Sequence, residues 1–248
     1  MEEITSLNNS LVKETAKLHQ KKYRDAENNF ILEGFKAVEE AVLSGINIEY
    51  AFILSGKADR YKFFEGRKIL TTEAVLKKIS DVDSAPEVVA VAKQKHYKKS
   101  DFKGLKKIIL LENIKDLGNL GTIIRSACAF NIDGIVLYGD CADLYSPKCV
   151  RSAVGNLWKI PVITLNKTED LKELFLDYQR VATLPLAKHT LKNFKPNDKI
   201  LVMFGSEADG LSEELKAFAT ESVKIEMSKK VESLNLAVSC AVIMYYLN

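Results

Sequence analysis

Hydrophobic positions along the first hundred residues come in short bursts separated by charged amphipathic stretches. Residues 12–28 (VKETAKLHQKKYRDAEN) set Val12, Ala16 and Leu18/His19 on one helical face and Lys13, Lys17, Lys21, Lys22 and Arg24 on the other, which predicts one charged helix with a positive exposed stripe. After Phe30-Ile31-Leu32, the run EGFKAVEEAVLSG predicts a second helix closed by Gly45, followed by the strand IEYAFIL. ADRYKFF then leads into RKIL, and the helix TEAVLKKIS leads into the apolar run VVAVA. Helix and strand alternate, as in an α/β domain. The segment KQKHYKKSDFKGLKK breaks the rhythm, being rich in lysine and short of aliphatics until Leu105. It predicts a basic linker over 96–106 between a first domain, 1–95, and a second, 107–248.

The second half repeats a cleaner pattern. Apolar runs at 108–111, 134–139, 161–165, 180–184, 200–205 and 223–227 alternate with helical stretches. Short continuous apolar strands between helices predict a mostly parallel sheet covered on both faces. Ser146, Ser212 and Ser233 stand where helix N-caps are expected. Ligands of such sheets gather at the carboxyl ends of strands, which directs attention to the loops after 114, 184, 205 and 227.

Composition narrows the chemistry. Of 248 residues 47% are hydrophobic, with 12 Gly and 5 Pro, so the chain can bury a core. No apolar run approaches the roughly 20 residues of a membrane span, and the acidic opening Met1-Glu2-Glu3 is unlike a signal peptide, which predicts a cytoplasmic protein. Cys128, Cys141, Cys149 and Cys240 form no CxxC pair and read as buried thiols; with only His19, His96 and His189 besides, no metal site is expected. Lys+Arg 36 against Asp+Glu 33 leaves a charge of +3, so any nucleic-acid affinity must come from local clustering.

Three loops carry unusual residues. In KDLGNLGTIIRSACAFNIDG, Gly118 and Gly121 predict a tight turn, Asn119 a turn or cap residue, and Arg125 a guanidinium flanked by Gly121 and Ala129, open to a phosphate or another chain. The plain alternative is an arginine paired with a surface carboxylate. In ILVMFGSEADGLSEEL, Glu207 lies immediately past a buried strand, too early to be a helix-starting acid. In VKIEMSKKVESLNLAVSCAVIMYYL, Ser233 and Asn235 open a helix rich in small residues; Ser233 also reads simply as its cap.

In this order and combination the segments resemble the three motifs of the SpoU/TrmH family of RNA ribose 2′-O-methyltransferases: Asn119-Leu120-Gly121-Thr122 with Arg125, Gly205-Ser206-Glu207 with Gly210-Leu211-Ser212, and Glu232-Ser233-Leu234-Asn235. Val150-Arg151-Ser152 with Gly155 is also similar to the family, and the N-terminal part, ITSLNNSLVK followed by the Lys/Arg helix and Phe30-Ile31-Leu32-Glu33-Gly34, looks like its ribosomal-protein-like substrate-binding domain. The resemblance implies a C-terminal α/β/α domain with a trefoil knot, preceded by a smaller α/β RNA-binding domain. It implies S-adenosylmethionine as cofactor, held near Leu184, Gly205, Ile225, Met227 and Leu234, with Asn119, Arg125, Glu207, Ser233 and Asn235 in catalysis. It implies RNA as partner, ribosomal before transfer RNA, met by Lys13, Lys17, Lys21, Lys22, Arg24, Arg151, Lys229 and Lys230, and a homodimer with the site completed near the subunit interface.

The chain departs from the family at Ile225-Glu226-Met227-Ser228-Lys229-Lys230, which lacks the usual proline and glycine, and at Ala208-Asp209, where a glycine is usual. The first change removes a φ constraint and easy access to positive φ in the cofactor loop. Two rival functions are an RNA-binding module without activity and a dinucleotide-dependent oxidoreductase. Retention of all five motif residues opposes the first. The second lacks both the GxGxxG turn and an acidic ribose partner about 20 residues on.

Overall fold

The computed structural model describes residues 2–228 and 230–248, so Lys229 lies outside the described residues. The chain forms two compact units: residues up to Lys95 together with Asp143–Trp158, and His96–Ala142 together with Lys159–Asn248.

The first unit runs β1 (Glu2–Ile4), α1 (Ser10–Lys17), α2 (Lys21–Glu27), β2 (Asn29–Glu33), α3 (Phe35–Leu43), β3 (Ile48–Leu54), β4 (Arg67–Thr71), α4 (Glu73–Ile79) and β5 (Val88–Lys93). Its sheet has the order β1-β4-β3-β5-β2, with β5 antiparallel to both neighbours and the other pairs parallel. Val12, Leu18, Val75 and Ile79 pack from the helices onto Ile31, Phe52, Ile69 and Val89 of the sheet. Burial of these aliphatic and aromatic groups drives the layer together.

The single helix expected over 12–28 is two. Asn9 caps α1 through its side chain, which accepts from Leu11 N, and the chain turns over 18–20 before α2. The break corrects Arg24. Rather than joining the exposed stripe it is only 3% exposed, donating 2.7 Å to Leu18 O at the break and pairing with Asp143. A buried guanidinium requires such partners, and these hold it away from the surface. Lys13, Lys17, Lys21 and Lys22 are exposed as expected.

The second unit runs β6 (Lys107–Glu112), α5 (Leu117–Ala129) and β7 (Gly134–Tyr138); after α6 (Pro147–Ala153), which packs in the first unit, it continues through β8 (Val162–Leu165), α7 (Thr168–Phe175), β9 (Gln179–Thr183), β10 (His189–Thr190), β11 (Ile200–Phe204), α8 (Glu213–Phe218), β12 (Glu221–Lys224) and α9 (Leu236–Leu247). The order is β10-β12-β9-β11-β6-β7-β8, parallel throughout. The central strands β6, β7 and β11 are buried almost end to end, which is why they read as unbroken apolar runs. Residues 96–106 include a short 3₁₀ turn, Lys99–Phe102, whose Phe102 is buried in this unit's core with Ile108 and Tyr178. The stretch expected to link is thus partly packed.

Candidate functional site

In the register of the central strands, Phe204 of β11 lies beside Leu111 of β6, so Glu112 and Gly205 emerge from the sheet at the same edge. Three segments meet there. Asp116 caps α5 by accepting 2.6 Å from Asn119 N, so the helix begins at Leu117. Gly118 and Gly121 therefore lie inside its first turns and make no tight turn, contrary to the sequence expectation; a side-chain cap ahead of them ends the loop early. Asn119 then stands in the first helical turn, with its amide available to neighbours.

That amide joins the motifs. Asn119 Nδ2 donates 2.5 Å to Glu207 Oε1, and Asn235 Nδ2 donates 3.1 Å to Asn119 Oδ1. Asn235 Oδ1 accepts from Ala237 N at 2.9 Å and Val238 N at 3.3 Å, so Asn235, not Ser233, is the N-cap of α9. Glu207, Asn119, Asn235 and the α9 N-terminus form one hydrogen-bonded chain. The carboxylate end makes its first bond charge-assisted and roughly twice as strong as a neutral one.

Glu207 also belongs to the wall of a cavity of about 460 Å³ built by the loops after β9, β11 and β12 and by the start of α9. Leu184, Gly205, Ile225, Met227 and Leu234, the five expected cofactor positions, all line it, as does Ser233. The strand expected over 223–227 stops at Lys224, so Ile225 and Met227 belong to the irregular segment that shapes the cavity. Gly205 is obligatory: a Cβ there would lie 1.9 Å from Gly210 C and 2.2 Å from Leu211 N, because the loop folds back over it through a Ser206–Gly210 bridge. Glu112 anchors that fold, its buried carboxylate accepting 2.7 Å from Ser212 N. Below the network Cys240 is buried, and burial followed by the nearby Glu207 carboxylate pushes its thiol well up, keeping it neutral.

Arg125 is not part of this gathering. It is exposed on α5, outside the cavity wall, so Glu207 orients Asn119. Arg151 lies in the first unit on α6, paired with Glu33 and, at 3.5 Å, with Asp81. Lys230 is exposed. Sequence reasoning missed Asp116 and Glu112. Asp116 had the sequence form of a cap, and Glu112 was signalled by a charge ending a buried strand.

The model of the SpoU rRNA Methylase family matches residues 106–245. The chain belongs to this family. The SpoU match is joined by that of an MRM3-like substrate binding domain over residues 9–90. An uncharacterised tRNA/rRNA methyltransferase of Synechocystis is 34% identical over 98% of the chain and 92% of its own length. The Bacillus subtilis 23S rRNA (guanosine(2553)-2′-O)-methyltransferase RlmP is 28% identical, with 100% and 99% covered. Among solved structures, an AdoMet-bound rRNA methyltransferase of Sinorhizobium meliloti superposes with a TM-score of 0.89 at 29% identity, covering 99% of this chain and 96% of that one.

Proposed function

We propose that this SpoU protein methylates ribose 2′-hydroxyls of RNA with S-adenosylmethionine, acting on ribosomal RNA ahead of transfer RNA. The observation that carries the reading is the hydrogen-bonded chain Glu207–Asn119–Asn235 beside the cavity of the three carboxyl-end loops. The residues fit the cofactor: the volume is in the small-molecule range of about 300–1,000 Å³, Leu184, Ile225 and Leu234 supply apolar walls, and Gly205, by having no side chain, lets the 206–210 loop fold back to close one side. When bound, S-adenosylmethionine supplies an electrophilic methyl group on a sulfonium.

The protein's task is to present the hydroxyl and stabilise the charge that grows on its oxygen. Arg125, exposed on α5 outside the cavity wall, does the second from the RNA side, by charge and by holding a neighbouring phosphate. As a guanidinium with a pKa above about 12 it is a poor proton acceptor, so it is given no part as base. Asn119, fixed by Glu207, and Asn235, fixed as a cap, position the ribose together with Ser233 at the cavity mouth. The preserved network opposes the inactive RNA-binding alternative.

The finer assignments extend this reading. The unit built mainly on residues 1–95 is the RNA-binding domain, and 107–248, apart from the 143–158 segment that packs with the first unit, is the catalytic one. Exposed Lys13, Lys17, Lys21, Lys22 and Lys230 meet phosphates. The insertion of β12 between β9 and β10 supports a knotted arrangement of the segments that follow. Val238, Val242 and Tyr245, 48%, 37% and 70% exposed along one face of α9, support a homodimer, and a ribosomal RNA substrate supports a cytoplasmic location. The test is transfer of labelled methyl from S-adenosylmethionine to unmodified ribosomal and transfer RNA pools, followed by mapping of alkali-resistant positions. Labelled ribose 2′-oxygens are expected; cofactor and RNA binding without labelling would sink the enzyme reading.

A further inference from the structure

The first unit holds a second cavity, of about 490 Å³, between α1, α2 and the opening residues of β2 and β3. Its mouth is basic and aromatic: the Tyr23 ring carries Lys22 Nζ at 4.7 Å and Lys17 Nζ at 5.6 Å from its centroid. The wall is rich in acceptors. Glu14, Glu27 and Glu49 contribute carboxylates, and the ammonium of Lys17 is the one cationic group among the described lining residues. Asn29, 8% exposed, donates 2.7 Å from Nδ2 to Glu49 Oε2, while its buried Oδ1 has no partner among the described residues. Glu49 is held from its other oxygen by Lys93 at 3.0 Å, and Tyr50 shares a 3.1 Å hydrogen bond with Thr15. A buried acceptor left unmatched in a fixed wall selects a ligand that brings donors.

We infer that this cavity receives an unpaired guanine of the RNA. The inference rests on the RNA reading above and adds a base-selective site to it. Proteins read RNA sequence chiefly at unstacked bases, which stack on aromatic rings and are hydrogen-bonded along their edges. Tyr23 is the stacking face once the ammonium of Lys22, now over its ring, moves to a phosphate. Guanine presents a carbonyl oxygen beside two adjacent donor groups; it matches one ammonium, Lys17, beside the acceptors Asn29 Oδ1 and Glu49. Adenine and cytosine each offer a single amino group there, and uracil a single imino group. The exposed ammonium groups of Lys13 and Lys22 then meet the flanking phosphates, which position the strand without reading it.

The test is fluorescence anisotropy of the full chain with labelled uridine hexamers carrying one central guanosine, inosine, adenosine or cytidine. The guanosine hexamer is expected to bind about tenfold more tightly than the adenosine and cytidine ones, with inosine, which lacks the amino group, between them. Glu49→Gln should remove the preference while keeping the affinity for plain uridine hexamer, and Tyr23→Ala should weaken guanosine binding about tenfold. Flat affinities in the unaltered protein, or binding of ribosomal RNA with no hexamer bound, overturn this site alone. Displacement of the guanosine hexamer by free guanosine monophosphate at equal strength overturns it in favour of a nucleotide site, and displacement by spermidine in favour of a cation site. Failure to bind any RNA, ribosomal RNA included, overturns the underlying reading as well.

Discussion

The two cavities have nearly the same volume, about 460 and 490 Å³, and opposite construction. One is made by backbone: loops at the carboxyl edge of a parallel sheet fold over a glycine that tolerates no side chain, and polar groups are recruited from three distant segments. The other is made by side chains on two short helices and two strands, with carboxylates facing an ammonium and an aromatic ring. A backbone-built cavity is shaped for one rigid small molecule, whereas a side-chain wall of donors and acceptors is suited to discriminate among similar edges.

The sharpest way to break this contrast is to damage each cavity and read both. Gly205→Val drives a side chain into Gly210 and Leu211, and S-adenosylmethionine binding by calorimetry should disappear while hexamer binding to the first unit persists. Loss of both activities would mean that the cavities are not independent. Arg125→Ala, outside both walls, should lower methyl transfer about 10²–10³-fold with cofactor affinity nearly unchanged; an equal loss of the two would refute its assignment to charge stabilisation. Glu207→Gln keeps the shape of the Asn119 bond but removes its charge, and single-turnover transfer should fall about tenfold. A wild-type rate would show that the network is only a fold contact.

The smallest effect concerns stability. Burial, with the Asp143 carboxylate adding to it, pushes the Cys149 thiol up to about 12 from an ordinary value of 9.0. Unfolded chains ionise there above about pH 9 while folded ones keep the proton, so stability falls with rising pH between those values, by about 1.4 kcal/mol per unit for this thiol. Cys149→Ala should flatten the pH dependence of the urea midpoint over that window; an unchanged slope would remove Cys149 as its source.

Much of this was legible from residue pattern. The buried strands announced themselves as apolar runs because burial on both faces removes any alternation, and the resemblance of the three motifs located the cavity wall. Less visible were features made by single side chains acting at a distance. The break between α1 and α2 depends on Leu18 O accepting from Arg24, and Arg24 depends on Asp143, which lies 119 residues on. No local periodicity encodes that pairing. The start of α5 was misread because two glycines suggest a turn, whereas Asp116 capping Asn119 N carries the helix through them. The segment after Lys224 left its strand early, and a helix cap was assigned to Ser233 in place of Asn235.

The placement of β12 between β9 and β10 has a bearing on synthesis. Residues 221–247 leave the ribosome after every strand they must join, so the cavity that Ile225, Leu234 and α9 complete has no existence on a nascent chain ending at β11. Until then the β9 edge that receives β12 is unpaired, and β10, whose sheet partner is β12, has no strand to join. The molecule thus gains its ability to bind a small ligand in a late step, after its first unit has already been made.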